Sequence, residues 1–292
     1  MNYINVKPFI KWAGGKSQLL NEIRAKYPEN IDKYCEPFVG GGAILLDVLA
    51  NIKPQSVLIN DINSQLVNTY KQIRDNVTEI VDWLSENQSV YWDKSGDERR
   101  EMYLLMRDKY NAGILNKDRT AEMAALFIFL NKTCFNGLYR VNSKGLFNVP
   151  IGSYKKPPIC DAENLKVISG LLQNVDIRCG DYSKCEVFID ENTFVYIDPP
   201  YRPLTVTASF TSYSENDFGD KQQIELGKFV DEISAKHAKV VVSNSDPKNS
   251  DENDNFFDEL YSRYTITRVS AKRMINSKAS SRGSINELLI TN

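Results

Sequence analysis

Tyr34-Cys35-Glu36-Pro37-Phe38-Val39-Gly40-Gly41-Gly42-Ala43-Ile44-Leu45-Leu46-Asp47-Val48-Leu49-Ala50 changes character twice along its length. Tyr34 to Phe38 reads as a short strand, three glycines follow, and Ala43 to Ala50 reads as an apolar helix. Glycines let the backbone turn tightly and approach a ligand closely. Downstream, Ser56 to Asn60 reads as a second strand ending at Asp61. Strand, glycine turn, helix and a strand with a terminal acid make half of a nucleotide-binding α/β unit, in which the acid can bind ribose hydroxyls. The turn does not fit GxGxxG. Alone it is equally an ordinary tight turn, and Asp61 equally a capping residue beside Asn60.

On the amino-terminal side, Lys16 to Tyr27 is a helix candidate with Leu19, Leu20 and Ile23 on one face and Pro28 as its stop. Trp12-Ala13-Gly14-Gly15-Lys16-Ser17 hints at a phosphate loop, but that motif needs a glycine where Ile10 stands. A nucleoside-triphosphatase is thereby excluded, while a glycine turn serving a small-molecule pocket is not. On the other side the pattern turns helical, with candidates at Ser64–Arg74, Thr78–Ser85, Asp97–Asn111 and Ala121–Leu130 and a polar loop at Glu86–Gly96. Leu138 to Pro150 reads as a β-hairpin turning at Ser143-Lys144-Gly145. Strands then resume at Val175–Cys179, Phe194–Asp198, Val240–Ser243, Tyr264–Val269 and Glu287–Thr291, with a helix at Asp220–Lys236. An α/β core, residues 1–63 and 161–292, is thus interrupted by a mainly helical insertion, residues 64–160.

The chain has 292 residues, 42% of them hydrophobic and 25% charged, which argues for a folded core and against disorder. No run of about 18 apolar residues predicts a membrane span, and Met1 to Lys11 lacks a secretory stretch. Cys35, Cys134, Cys160, Cys179 and Cys185 are scattered, with no CxxC pair. Reduced thiols in a cytoplasm are expected, and no metal site. His237, beside a helix end, reads as structural. The net charge of −2 does not suggest nucleic acid, but its distribution does. Lys132, Arg140, Lys144, Lys155 and Lys156 fall in one stretch without an acid, and Arg268, Lys272, Arg273, Lys278 and Arg282 in another. Either these form a phosphate-binding surface or they are solvated loops.

A second constellation lies at Asp198-Pro199-Pro200-Tyr201, directly after the β-prone run Phe194-Val195-Tyr196-Ile197. Two prolines remove two N–H donors and hold the backbone extended. Carbonyl oxygens stay free to accept, Asp198 adds an anionic acceptor and Tyr201 an aromatic face. This suits a planar amine at the carboxyl end of a strand, where open α/β sheets bind ligands. A proline turn after a strand is the plainer alternative.

These residues carry a resemblance. Asp198-Pro199-Pro200-Tyr201 matches the DPPY signature of amino-group DNA methyltransferases, and Phe38-Val39-Gly40-Gly41-Gly42 is similar to their FxGxG cofactor motif. Lys7-Pro8-Phe9-Ile10-Lys11-Trp12-Ala13-Gly14-Gly15-Lys16 resembles the amino-terminal motif of the α-arranged, Dam-like adenine methyltransferases. Asn136-Gly137-Leu138-Tyr139-Arg140 and Phe147-Asn148-Val149-Pro150 resemble their recognition hairpin. The motifs stand in the family's order from Lys7 onward; Gly41 fills only a variable position.

The resemblance implies a Rossmann-like, S-adenosylmethionine-dependent methyltransferase core with a mainly helical inserted target-recognition domain carrying a β-hairpin. It implies S-adenosylmethionine at Trp12, Lys16, Phe38, Gly40, Asp61 and Asp198, with Asp61 on the ribose. It implies that Asp198, Pro199, Pro200 and Tyr201 hold a target adenine rotated out of double-stranded DNA, since the amino group is inaccessible within the stack. It also implies that Lys11, Leu138, Arg140, Pro150 and Tyr154 contact the bases of GATC, with Phe135 inserted beside the base step and Asn136 nearby. Arg140 suits guanine O6 and N7, and Lys155, Lys156, Lys272 and Arg282 suit phosphates. A restriction endonuclease acting on the same site is an implied functional partner. An RNA or single-strand methyltransferase using the same pocket, a non-catalytic DNA-binding protein and a generic nucleotide-binding α/β protein are the competing readings.

Overall fold

The strands flanking the glycine turn begin a sheet of seven: β1 (Lys33–Glu36), β2 (Ser56–Asp61), β3 (Val175–Cys179), β4 (Thr193–Ile197), β5 (Lys239–Ser245), β6 (Thr265–Lys272) and β7 (Ser284–Thr291). This is a computed structural model that describes residues 3–202, 218–272 and 284–292. By internal contacts the chain falls into two units. One gathers Lys16–Val39, Pro54–Asn60 and Asp181–Asn292, and the other Met1–Gly15, Gly40–Lys53 and Asp61–Gly180.

Six of the seven strands belong to the first of these units, in the order β2-β1-β4-β5-β7-β6. The β1/β2, β1/β4 and β4/β5 pairs are parallel, and β7 runs antiparallel to β5 and β6. Strand β4 is buried throughout, which is why Phe194-Val195-Tyr196-Ile197 reads as an unbroken apolar run. Helix Asp220–Ala235 lays Leu226, Phe229, Val230 and Ile233 into a core with Val195, Ile197, Val240 and Val242. Burying each such side chain stabilises by about 1.5–3 kcal/mol. Strand β1 has β2 on one side and β4 on the other, so the strand order reverses there, and such switch points are where open sheets take ligands. Cys35 pairs in register with Val195. Phe38 and Asp198 therefore follow neighbouring parallel strands at equivalent positions.

The expected Lys16–Tyr27 helix is shorter and tighter: a 3₁₀ turn at Lys16–Leu19 and an α-helix, α1, at Leu20–Arg24. Lys26 and Tyr27 close i to i+3 bonds onto Ile23 and Arg24, and Pro28 disfavours helical backbone in the residue before it.

The other unit is mainly helical. Its core is α5 (Ala121–Thr133), apolar on nearly every face and almost wholly buried, as a helix without an exposed side must be. It packs with α3 (Ser64–Asp93), which Asn63 caps by accepting from Gln65 and Leu66 N–H. The two expected helices either side of residue 76 are one helix kinked at Asn76 (φ −135°, ψ 36°). The expected loop Glu86–Gly96 is helical as far as Asp93. Its polar composition conceals why: Tyr91 is buried, Gln88 accepts from Ile159 and Cys160 N–H, and Arg99 donates to the Tyr91 and Trp92 carbonyls at 2.8 and 2.6 Å. Helix α4 (Gly96–Asn116) opens on a capping box between Ser95 and Glu98. Helices α2 (Ala43–Asn51) and α6 (Ala162–Leu172) complete the unit; α6 went unread although Leu165, Ile168 and Leu172 mark its buried face.

The hairpin over Leu138–Pro150 holds its turn but no strand ladder. Val141 and Phe147 form an isolated antiparallel bridge. The turn is governed by Asn142, whose Oδ1 accepts from Lys144 and Leu146 N–H at 2.9 and 3.1 Å. Among the described residues, no helix is long and apolar enough to cross a membrane.

Candidate functional site

In the sheet unit, β4 runs out into Asp198-Pro199-Pro200-Tyr201, and this turn closes on a lysine from far upstream. Lys16 Nζ donates to both Asp198 oxygens at 2.7 and 2.8 Å and to the Tyr201 hydroxyl at 2.8 Å. Tyr201 donates onward to Glu287 Oε2 at 2.8 Å, and Glu287 Oε2 lies 3.8 Å from Lys16 Nζ. Ser243 Oγ donates to Asp198 Oδ1 at 3.0 Å and pairs with the Tyr196 hydroxyl at 2.9 Å. The Lys16 side chain is 3% exposed and that of Asp198 21%, so one ammonium and two carboxylates share a nearly dry site. Burial raises the Glu287 carboxyl above its ordinary value, against the pull of Lys16 and Tyr201. Burial, Asp198 and Glu287 together raise the Tyr201 phenol, so it remains a donor.

The proline turn is itself held. Gln223 Nε2, from the first turn of helix Asp220–Ala235, donates to the Pro200 carbonyl at 3.1 Å, and Asn244 Nδ2 donates to Gln223 Oε1 at 3.2 Å. Pro199 is buried and Pro200 exposed. Ser243, Asn244, Gln223 and Glu287 were not singled out from sequence. Their signal was polarity out of place: Ser243-Asn244 ends an apolar strand, and Glu287 enters one. Phe38 is half-buried and packs on Tyr182 (centroids 5.1 Å) and edge-on to Phe218 (5.9 Å).

In the helical unit, the glycine turn is built around Trp12. Gly40 and Gly42 have φ of +48° and +70°. A Cβ on Gly40 would stand 2.9 Å from Trp12 Cδ1, and one on Gly41 3.0 Å from Trp12 Cβ, so only glycine lets the indole lie this close. Tyr70 donates to the Gly40 carbonyl at 3.0 Å. Asp61 Oδ2 accepts from Gly40 N–H at 3.0 Å and Oδ1 from Asn63 N–H at 2.8 Å. Burial raises the Asp61 carboxyl, with the backbone N–H groups of Asn63, Gly40 and Ile62 pulling the other way. A carboxylate offers about four lone-pair sites, so with three N–H groups bound roughly one remains for a hydroxyl of a ribose. Ile62, beside it, is 65% exposed. A glycine cradle, a carboxylate with spare acceptor capacity and an adjacent apolar side chain fit an adenosine-containing group.

The hairpin residues gather in the same unit around a buried asparagine that sequence reading missed. Asn131 on α5, 4% exposed, accepts from Lys11 N–H at 2.8 Å and donates to the Lys11 and Gly137 carbonyls at 2.8 and 2.9 Å. Lys11 Nζ reaches the Tyr154 hydroxyl at 3.3 Å and sits 4.7 Å from its ring centroid. Phe135 is 50% exposed beside Asn136, whose φ is +56°. Phe135 N–H donates to the Pro150 carbonyl at 2.8 Å. Arg140 is exposed, its guanidinium held by Asn148 through Nε to Oδ1 (2.8 Å) and Nη2 to O (3.1 Å). Leu138 is half-buried and Pro150 exposed.

The two basic stretches divide on inspection. Lys155 and Lys156 are exposed, whereas Lys132 is half-buried, with burial and nearby Lys11 lowering its ammonium. Arg268 is bound to Asp246 and Asp258 at 2.8 Å each and is not available to phosphate. Arg273, Lys278 and Arg282 lie outside the described residues, as does the side chain of Lys272.

Comparison with known proteins shows the family. The profile of the family described as D12 class N6 adenine-specific DNA methyltransferase matches residues 12–275. The chain is 46% identical over 295 residues to the type II methyltransferase M.MjaIII of Methanocaldococcus jannaschii, covering 99% of this chain and 100% of that one. It is 39% identical over 293 residues to the type II methyltransferase M1.LlaDCHI of Lactococcus lactis, covering 100% and 97%. It is 33% identical over 283 residues to the DNA adenine methylase of Escherichia coli K12, covering 97% and 94%.

Proposed function

The chain belongs to the D12 class of N6 adenine-specific DNA methyltransferases, and on that premise we propose that it methylates one adenine within a fixed duplex site, GATC by resemblance, after rotating the base out of the helix. S-adenosylmethionine is the methyl donor of this family, and when bound it supplies an electrophilic methyl group for the amino nitrogen. The observation that carries the reading is the Asp198 carboxylate, fixed by Lys16 and Ser243 at the end of β4.

An adenine amino nitrogen is a poor nucleophile because its lone pair is conjugated into the ring. The Asp198 carboxylate and the Pro199 carbonyl would accept its two N–H groups, favour a pyramidal nitrogen and stabilise the positive charge developing there. That is positioning plus electrostatic preorganisation. Three of about four lone-pair sites on Asp198 are used by Lys16 and Ser243, and one on Oδ2 is left for the amino group. Tyr201 would stack on the extruded base, worth about 1–3 kcal/mol against the few lost on unstacking. A cysteine nucleophile has no part: Cys134 is buried and its thiol is pushed up to about 11 by that burial.

We assign Trp12, Lys16, Phe38, Gly40, Asp61 and Asp198 to the cofactor, with Asp61 on the ribose. Residues 64–160 form the target-recognition domain. There Arg140 would read a guanine, Leu138 and Pro150 pack on a thymine methyl, and Lys11 and Tyr154 contact bases together. Phe135, with Asn136, would wedge beside the base step, and Lys155, Lys156, Lys272 and Arg282 would contact phosphates. A restriction endonuclease of the same specificity is the functional partner suggested by the type II relatives. We assign the reaction to the cytoplasm, a compartment that suits five dispersed cysteines with no CxxC pair.

The test is transfer of labelled methyl from S-adenosylmethionine to a GATC duplex and to the same duplex with the site permuted, N6-methyladenine being detected after digestion. Product on GATC alone is expected, and Asp198→Ala should lower the rate by about 10²-fold or more. Product on both duplexes would discard the site, and wild-type transfer by Asp198→Ala would discard the chemistry assigned to that residue.

A further inference from the structure

Tyr139 lies between the two residues assigned to base reading, Leu138 and Arg140, and its ring packs among Trp12, Phe127 and Phe147. Its ring stacks on Trp12 with centroids 5.7 Å apart and planes inclined at 27°. Trp12 is the side chain against which Gly40 and Gly41 are packed. The ring thus touches the cofactor turn through the indole, against which the glycines stand. On the hairpin side it packs on Phe147 (5.8 Å), which immediately precedes the Asn148 that grips Arg140, and on Phe127 of α5 (5.4 Å).

The hairpin suits a transmitting part. Around the bridge between Val141 and Phe147, Asn142 N–H donates to the Leu146 carbonyl at 2.9 Å and Asn148 N–H to the Arg140 carbonyl at 3.1 Å, so the arm that carries Arg140 is tied to its partner arm and the two shift as one piece. A shift of that arm moves the residue between Leu138 and Arg140. Trp12 has little room to yield, because the backbone of Gly40 and Gly41 already stands against it.

We propose that Tyr139 is a positioning residue that couples target reading at the hairpin to cofactor holding at the glycine turn, so that affinity for the cofactor depends on the DNA sequence engaged. This rests on the assignments of Trp12 and Asp61 to the cofactor and of Arg140 to the bases. Coupling between two sites is reciprocal, so the cofactor must favour the correct duplex by the same factor.

The experiment measures binding of sinefungin, an unreactive analogue of S-adenosylmethionine, by titration calorimetry. The full chain is titrated alone, with the duplex that the methylation assay selects, and with its permuted counterpart. In the wild type the two duplexes should give dissociation constants differing about five-fold or more, the lower end of typical couplings. Tyr139→Leu should bring that ratio to within about two-fold of one, while Tyr139→Phe, which keeps the ring, should restore most of it. Thermal unfolding of each variant checks that the fold survives. A wild-type ratio of one, or an undiminished ratio in folded Tyr139→Leu, overturns the coupling. Asp61→Ala separates this from the underlying assignment: if it binds sinefungin like the wild type, the cofactor assignment fails; if it does not bind, that assignment stands whatever Tyr139 does.

Discussion

Replacing Lys16 by methionine would keep the volume of the side chain and remove its charge. The ammonium makes three contacts of 2.7–2.8 Å in a site where its own side chain is 3% exposed, and a second carboxylate, Glu287, stands at 3.8 Å. Breaking a buried ion pair by removing one partner costs about 3–5 kcal/mol, because the other charge is left without compensation. The protein has one escape, which is to protonate Glu287, the more buried of the two carboxylates left behind. For a group of ordinary value 4.5, at about 1.36 kcal/mol per pH unit, neutrality costs about 5 kcal/mol at pH 8 and about 1.4 kcal/mol at pH 5.5. Glu287 is already raised in the folded state by burial, with Lys16 opposing, so losing Lys16 raises it further. A carboxyl raised on folding binds protons more tightly when folded than when unfolded. Its penalty is therefore full above the folded value and vanishes as pH falls toward the unfolded one. The deficit of Lys16→Met should accordingly shrink from about 3–5 kcal/mol at pH 8 to about 1–2 kcal/mol at pH 5.5. Urea unfolding of both proteins at pH 8, 6.5 and 5.5 measures it. A deficit that stays constant across this range, or none at pH 8, would refute the picture of a charge-compensated buried cluster.

Arg140→Ala should lose about 1–3 kcal/mol of discrimination at one guanine position, read from methylation of singly substituted sites; unchanged site preference would remove Arg140 from recognition. Asn131→Ala strands the Lys11 N–H and the Lys11 and Gly137 carbonyls, so the melting temperature should fall in proportion to a loss of about 1–3 kcal/mol, and affinity for the methylated duplex should fall with it because Lys11 is no longer held. An Asn131→Ala protein with wild-type melting and binding would show those groups to be satisfied elsewhere.

What could be read from the chain and what could not differ in physical kind. Gly40, Gly42 and the Pro199-Pro200 pair impose their conformations locally, through positive φ and missing donors, and so announce a turn and a ligand-facing strand end without any knowledge of neighbours. Asp61 announces itself by its place at the end of β2. Lys16 was legible as a residue of interest, but not as the partner of Asp198, 182 positions away. Glu287, Gln223 and Asn131 are defined wholly by such distant partners, and a lone polar letter in an apolar stretch tells only that a partner exists. The helix through Glu86 to Asp93 escaped for a similar reason. Its composition is that of a loop, and the groups that hold it come from Arg99 and from the segment near Ile159.

The base of the hairpin is closed by three short backbone links: Phe135 N–H to Pro150, Gly152 N–H to Thr133, and the bridge between Cys134 and Ile151. Everything from Phe135 to Pro150 thus enters and leaves through one narrow neck, like a cassette clipped into a fixed frame. On the assignment of Leu138 and Arg140 to the bases, such an insert could be exchanged, during evolution or by an engineer, for one that reads another sequence while Asp198 and its partners keep their residues. The exchange has a condition written into the frame: the incoming cassette must bring an aromatic ring to the place of Tyr139, or Trp12 loses the neighbour it stacks on.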